Sequence, residues 1–276
     1  MELMPKTLRV LSLNLWHDSY EVESRIASLV KFIDEERIDA LLFQESCQHH
    51  EFSVAQRVSQ MSRLTYLVED TNNSNSGNGV MSIYPITESV SIPLQDEPRN
   101  AILARIFVGT RPVDLISTHS SWGPGREHIR LNQAIDIDQV VKTRTEYDAT
   151  LKSLNSPVTL LGGDFNSTEE SDSIRFLRGL KVVDSSSTLW TDTFRSLHSE
   201  PGFTSTLENP LAVITAQQVG LNTEFEIPPR RIDYIMSYGY AYGKAGACVS
   251  SYVVDQDIIK ENYPSDHYGI VSDILL

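Results

Sequence analysis

The sequence predicts a single α/β domain on three observations. It opens with an apolar strand, an amphipathic helix and a second apolar strand; its middle is crowded with short apolar runs; and its longest helical stretch leads into another apolar strand. At 276 residues the chain lies near the upper limit for one domain, long enough to bury a single large α/β or two-sheet core.

Leu8 to Leu15 reads as a buried strand, Val22 to Glu36 as an amphipathic helix and Ile38 to Phe43 as a second strand, which together make a β–α–β opening. Glu51 to Arg63 has helical spacing. Thr65 to Glu69, Val80 to Tyr84, Ala101 to Val108 and Val113 to Thr118 have strand character. Asp70 to Gly79 is rich in Asn, Ser and Gly and is expected to be a mobile surface loop, with the strand-like segments on either side able to pair across it. Arg126 to Leu154 carries an apolar stripe through Ile129, Ala134, Ile137, Val140 and Val141, and Pro157 ends that helix. Val158 to Leu161 is a strand, Glu169 to Arg178 a short helix, Ile232 to Ser237 a strand and Tyr268 to Leu275 the last strand. The stretch from about Asp184 to Pro229 is expected to be irregular, and loops of that length are functional or mobile. No internal repeat is visible.

Composition narrows the classes. Hydrophobic residues make up 40% and charged residues 22%, as in a soluble globular protein. The apolar run from Val10 to Trp16 is broken by Ser12 and Asn14, so the N-terminus is not expected to be a signal peptide, and no segment approaches the roughly 20 apolar residues of a membrane helix. The expectation is a soluble, cytoplasmic protein with no membrane insertion and no evident obligate protein partner. Cys47 and Cys248 sit in no metal-spaced cluster and are expected to be free thiols, which fits a reducing compartment. With 23 Lys and Arg against 37 Asp and Glu, the net charge of −14 opposes long nucleic acid, because phosphate backbones meet basic faces. A small or chain-end phosphorylated substrate is favoured.

Chemistry gathers at strand ends. Asn14 closes LSLN, Glu45 closes ALLFQE, His119 follows LIST, Asp164 and Asn166 follow LLGG, Asp233 begins DYIM, and Asp266 and His267 precede the last strand. Polar groups abutting apolar strands cost stability unless paired or ligated, so these residues call for a common explanation. Glu45 and Asp266 suit a hard cation such as magnesium, with manganese as a substitute, which takes carboxylate oxygens and keeps places for phosphate oxygens. The histidines lack the spacing of a zinc site. Asp, Asn and His supply what phosphoryl chemistry needs beyond the metal: an oriented water and help for the leaving oxygen. The two glycines of GGDFN are expected to allow a tight turn that exposes the acid.

In order, LSLNLW, LLFQES, STHSSW, LLGGDFNS, RRIDYIM and PSDHYGI resemble the motifs of the endonuclease/exonuclease/phosphatase superfamily, over residues 8 to 275. The resemblance implies a four-layer αββα sandwich of two packed mixed sheets flanked by helices. It implies that Glu45 is the main magnesium ligand with Asn14 beside it and Asp266 completing or supporting the site. It further implies that Asp164 and Asn166 orient the attacking water and hold the phosphate, and that Asp233 hydrogen-bonds His267 and fixes its tautomer. His119 matches the histidine of the deoxyribonuclease and sphingomyelinase branches, which implies donation to the phosphate or the leaving oxygen and counts against an abasic-site repair enzyme. Whether Asp164 or His267 takes the proton stays open.

Around this set, Trp122 and Arg126 in the loop after His119 are candidates for substrate recognition, against core packing for Trp122 and a helix-surface ion pair for Arg126. Arg231 either neutralises phosphate or pairs with one of the many acids. His17, just after Trp16, could reach the site mouth, against the favoured reading of a surface histidine near a strand end, and His49 and His50 are read as part of a helix start. The expected activity is phosphoester hydrolysis by in-line water attack, as a phosphodiesterase or phosphatase. A nuclease or DNA-end-processing enzyme of the same fold is the alternative. An inactive binding module is the remote one, since fold alone does not guarantee catalysis.

Overall fold

The computed structural model describes residues 6–70, 76–95, 100–150, 156–223, 228–239, 244–255, 259 and 262–276, with the side chains of 147–150 outside the description. Two βαβ units frame it. In the first, β1 (Thr7–Asn14), α1 (Val22–Glu35) and β2 (Ala40–His49) bring β1 and β2 parallel. β3 (Phe52–Ser53) turns back on the end of β2, and α2 (Val54–Met61), β4 (Tyr66–Asp70), β5 (Ser76–Ser82), β6 (Ile86–Pro93) and β7 (Asn100–Val108) follow. The second unit is β8 (Arg111–His119), α3 (Glu127–Thr150) and β9 (Val158–Asp164), with β8 and β9 again parallel. The chain ends with α4 (Asp172–Leu177), β10 (Trp190–Asp192), α5 (Pro210–Gln218), β11 (Asp233–Tyr238), β12 (Cys248–Val254) and β13 (Gly269–Leu275).

The strands form two mixed sheets, one in the order β12-β13-β1-β2-β5-β4 with β3 beside β2, the other β10-β11-β9-β8-β7-β6. Strand parity sorts their side chains into three cores, as four layers require. Leu8, Val10, Ala40, Leu42, Val80, Ile270 and Ile274 meet Ala104, Ile106, Leu115, Leu160 and Ile235 between the sheets. On the outer face of the first sheet, Leu11, Leu13, Leu41, Phe43 and Val271 pack on α1 and α2 through residues such as Ile26, Leu29 and Val58. On the outer face of the second, Leu103, Ile116, Leu161, Tyr234 and Met236 pack on α3 and α4 through Ala134, Ile137, Ile174 and Phe176. The αββα sandwich implied by the motifs is therefore the observed fold, and no helix among the described residues is long and apolar enough to cross a membrane.

Several local expectations are corrected. Ser76 to Gly79 does not belong to a surface loop: it is the start of β5, with Ser76 and Gly77 paired to β2 and Asn78 and Gly79 to β4, where a Cβ on Gly79 would come 2.2 Å from the Val68 carbonyl oxygen. Residues 71–75 of the predicted loop lie outside the described residues. The helix expected from Glu51 starts at Val54, where the Ser53 hydroxyl accepts from Gln56 N–H and the Gln56 side chain accepts from Ser53 N–H in a capping box. β6 and β12 were not foreseen, and both are edge strands whose outward residues break the apolar pattern. The stretch expected to be irregular holds β10 and α5, the latter capped by Asn209 with Pro210 in its first turn. Cys47 and Cys248 are free, as expected.

Candidate active site

The carboxyl ends of both parallel strand pairs open on the same place. On β1, Leu8 and Val10 face the second sheet, so Ser12 and Asn14 face it too. On β8, β9 and β11 the same parity directs His119, Asp164 and Asp233 inward, and the register sets them side by side: His119 opposite Asp164, Asp164 opposite Asp233. This row is the spine of the site.

Glu45 breaks that parity. Leu41 and Phe43 point to the helices, so strict alternation would send Glu45 the same way. A bulge places Gln44 and Glu45 opposite the single residue Asn78, between the pairs Phe43–Gly79 and Ser46–Gly77, and Glu45 adopts φ 56°. That left-handed, strained backbone turns the carboxylate between the sheets, and such strain collects at functional sites. Gln44 keeps its inward direction and donates from Nε2 to Ser117 Oγ at 2.9 Å, which ties the two sheets together beneath the site.

The glycines act by closeness rather than by turning. Gly162 and Gly163 lie inside β9; a Cβ on Gly162 would come 2.6 Å from Leu42 Cδ1, and one on Gly163 would come 1.9 Å from the Thr118 carbonyl oxygen. The expected tight turn is thus replaced by a requirement for close approach of neighbouring backbone and of the facing sheet.

Asp164 is the hub. Its Oδ2 accepts from Asn14 Nδ2 at 3.1 Å and lies 3.5 Å from His119 Nε2 and 3.9 Å from His267 Nε2, while Oδ1 accepts from Asn166 N–H at 2.9 Å. His119 Nε2 stands 3.6 Å from Glu45 Oε1. His267 donates through Nδ1 to Asp233 Oδ2 at 2.9 Å, which fixes the tautomer, and the other oxygen of Asp233 is buried without a partner. Thr204 braces this pair, its hydroxyl accepting from Asp233 N–H and its carbonyl from Tyr268 N–H.

These contacts shape the acidities. Burial pushes Asp164 up to about 7, with the negative Asp233 and Glu45 adding to the rise and His267 opposing it. Burial also raises Asp266, helped by Glu45. Burial works against Glu45 ionisation too, but the His17 hydrogen bond, the positive charges of His119 and His17 and the Asn14 amide hold its carboxyl well below the usual carboxylate range. For His267, burial favours the neutral ring, yet Asp233, Asp164 and Asp266 outweigh it and hold the imidazole well above its ordinary value.

Two sets of potential ligand atoms lie within 4.8 Å of one another among the described residues: Glu45, His119 and Asp164, and Asp164, Asp233 and His267. The first is open to a cation through a strongly ionised carboxylate and a shared acid. Three predicted residues sit differently from their expected roles. Asn14 turns its amide nitrogen to Asp164, because Oδ1 accepts from Trp16 N–H at 2.8 Å; a flip would set two donors together, so Asn14 supplies a hydrogen bond rather than a metal oxygen. Asp266 stands outside both sets, its carboxylate held by the hydroxyls of Thr215 and Ser265. Asn166, at φ 50°, donates from Nδ2 to the Ser120 carbonyl at 3.2 Å and so braces the strand end.

Of the outer candidates, Arg231 is corrected. It is 3% exposed and its guanidinium is taken up by Glu169 and Asp192 between the rings of Phe194 and Tyr234, so it pairs with acids and does not face substrate. Trp122 is 58% exposed in the loop after His119, which excludes core packing. Arg126 is half-buried where that loop meets α3. His17 is exposed as expected and also reaches the site, its Nδ1 lying 2.5 Å from Glu45 Oε2. Its place three residues past the strand end at Asn14 is the signal for that reach. Thr204, Thr215 and Gln44 carry no sequence signal, because uncharged supports leave no pattern.

The chain matches the profile of the Endonuclease/Exonuclease/phosphatase family over residues 11–267. It belongs to that family. Members of this family are metal-dependent phosphoesterases, and the acid and histidine set described above is a candidate for such a metal site. No curated protein matches the chain in sequence. Among solved structures it is similar to an endonuclease/exonuclease/phosphatase of Bacteroides vulgatus, with a TM-score of 0.71, 15% identity and coverage of 98% of this chain and 99% of that one. D. rerio TDP2 complexed with a single-strand DNA product gives a TM-score of 0.68, 15% identity and coverage of 98% and 100%. The human Nocturnin catalytic domain with bound sulfate gives 0.64, 18% identity and coverage of 97% and 94%.

Proposed function

We propose that this family member is a magnesium-dependent hydrolase that cleaves a phosphoester bond of a small phosphorylated molecule by in-line attack of water. The observation that carries the reading is the row His119, Asp164 and Asp233, held in register on three strands and facing Glu45 across the sheets, with His267 locked onto Asp233.

Glu45 and Asp164 would hold the cation, magnesium by preference and manganese as a substitute, and its contribution when bound is to neutralise phosphate charge. The protein does the rest. His267 keeps its proton at Nδ1 for Asp233 and turns Nε2 toward the reacting oxygens beside Asp164. An imidazolium there donates to the phosphate, while Asp164 beside it orients the attacking water. His119 donates to the phosphate or leaving oxygen from the other side. Trp122 at the rim offers a flat exposed face to the group the phosphate carries. The net charge of −14 supports a compact substrate over a long polyanion, and the two free thiols suit a cytoplasmic setting.

The test is hydrolysis of bis(p-nitrophenyl) phosphate and p-nitrophenyl phosphate with magnesium, manganese or EDTA. Metal-dependent turnover that disappears in His267→Ala supports the reading, and the preferred ester separates diesterase from monoesterase. A nuclease is the second reading, favoured by the single-strand DNA product on the D. rerio protein. Efficient nicking of plasmid DNA with a steep salt dependence, beside inert small esters, would replace the small-molecule assignment.

A further inference from the structure

Glu45 has two oxygens, and they do different things. Oε1 faces His119 and belongs to the set with Asp164 that is open to a cation. Oε2 is held by one residue twice: the backbone N–H of His17 donates to it at 3.2 Å and the ring Nδ1 at 2.5 Å. The His17 ring is otherwise 65% exposed, so burial does not explain its position.

The loop that presents His17 is over-determined. Trp16 and Glu21 adopt φ of 57° and 44°, conformations that side chains other than glycine rarely take. They are held by Arg25, a buried guanidinium that donates to the carbonyls of Leu15, Trp16, Asp18 and Tyr20 and to that of Pro264, two residues before Asp266, and lies 4.6 Å from the Trp16 ring. The loop is also tied to α5, where Gln218 donates to Asp18. A buried arginine that serves five carbonyls of one loop and its neighbour, with a strained residue on each side of His17, is an expensive way to place an exposed ring unless the placement is used.

We propose that His17 is a positioning residue of the metal site: it clamps Oε2 of Glu45 and so presents Oε1, in one orientation, to the divalent cation. The proposal rests on the reading of Glu45 as a metal ligand. Its physical basis is that a glutamate on a bulge has a freely turning carboxylate, and a second donor on the far oxygen removes that freedom before the metal arrives. Partners that hold a ligand in this way affect metal affinity by about 10- to 100-fold.

The experiment measures manganese binding by electron paramagnetic resonance and calorimetry in the wild type and in Glu45→Ala, His17→Ala and His17→Asn, with thermal melting as the check on folding. The side chain of His17 is exposed, so the fold is expected to persist. The expected result is one manganese site in the wild type, lost in Glu45→Ala, weakened about 10- to 100-fold in His17→Ala and largely restored in His17→Asn, whose amide nitrogen stands where Nδ1 stood. With ester substrates, His17→Ala should recover kcat at high metal with KM unchanged. Manganese affinity unchanged in His17→Ala, or a raised KM at unaltered metal affinity, overturns the proposal while leaving the metal reading intact. Wild-type binding that persists in Glu45→Ala overturns both.

Discussion

Two clusters of charge, separated by a few residues along the same strands, are built in opposite ways. Beside β10 and β11, Arg231 and Arg195 meet Glu169 and Asp192, and Arg178 lies 3.4 Å from Glu169, so acids are matched by cations. At the strand ends, Glu45, Asp164, Asp233 and Asp266 gather with histidines, an amide and hydroxyls as their direct partners. The first arrangement satisfies itself. The second gathers carboxyls in a buried place, where burial pushes Asp164 up to about 7, and perturbed acids collected in this way mark a candidate functional site. The difference separates a stabilising ion-pair network from a site.

The comparison breaks most sharply at Glu45. Glu45→Gln should lower metal-dependent ester hydrolysis by roughly 10³-fold or more at saturating substrate, since the cation supplies several kcal/mol of charge stabilisation. The metal-free variant should melt no lower than the wild type. Arg231→Met should do the reverse, costing about 3 kcal/mol in denaturant titration, because it takes the paired cation from buried Asp192 and one of the cations around Glu169. Activity per folded molecule should stay within a few-fold. Parallel melting and steady-state assays of the two variants test both halves.

The pH dependence sharpens the contrast. With its carboxyl held near 7 in the folded protein against an ordinary value of 3.8, Asp164 keeps a proton that the unfolded chain has lost. Stability of the metal-free protein should therefore fall as pH rises from about 4 to about 7. His267 acts in the same direction, its contribution complete below its ordinary value and lost as pH climbs through the raised one. Urea titrations in EDTA at several pH values should show a flatter profile for Asp164→Asn. The smallest expected effect is at the rim: Trp122→Ala should raise KM by about two- to five-fold for an aryl ester with kcat unchanged, the size of an exposed ring contact.

The sandwich was legible because its buried strands are apolar runs and its chemical residues stand at their ends. The rule of strand ends located Asn14, Glu45, His119, Asp164 and Asp233 together, and the structure converges them. Which face each residue takes was legible only for strands of regular pleat. Glu45 reaches the site through a bulge and a positive φ that nothing in ALLFQES announces. The partners of Asn14, Asn166 and Arg231 were hidden for another reason. Their type fits phosphate or metal as well as it fits a backbone carbonyl or a second acid, and only the fold decides who is near. Gly162 and Gly163 carry the same lesson, since a glycine needed for a turn and one needed for close packing read alike.

The most direct test of the account is the anomalous diffraction of a crystal soaked with manganese and inorganic phosphate. The account predicts one strong peak at coordination distance, roughly 2.0–2.3 Å, from Glu45 Oε1, on the Asp164 side and with phosphate oxygens in its shell. A peak held elsewhere, with Glu45 still turned only to histidine and hydrolysis untouched by EDTA, would contradict it.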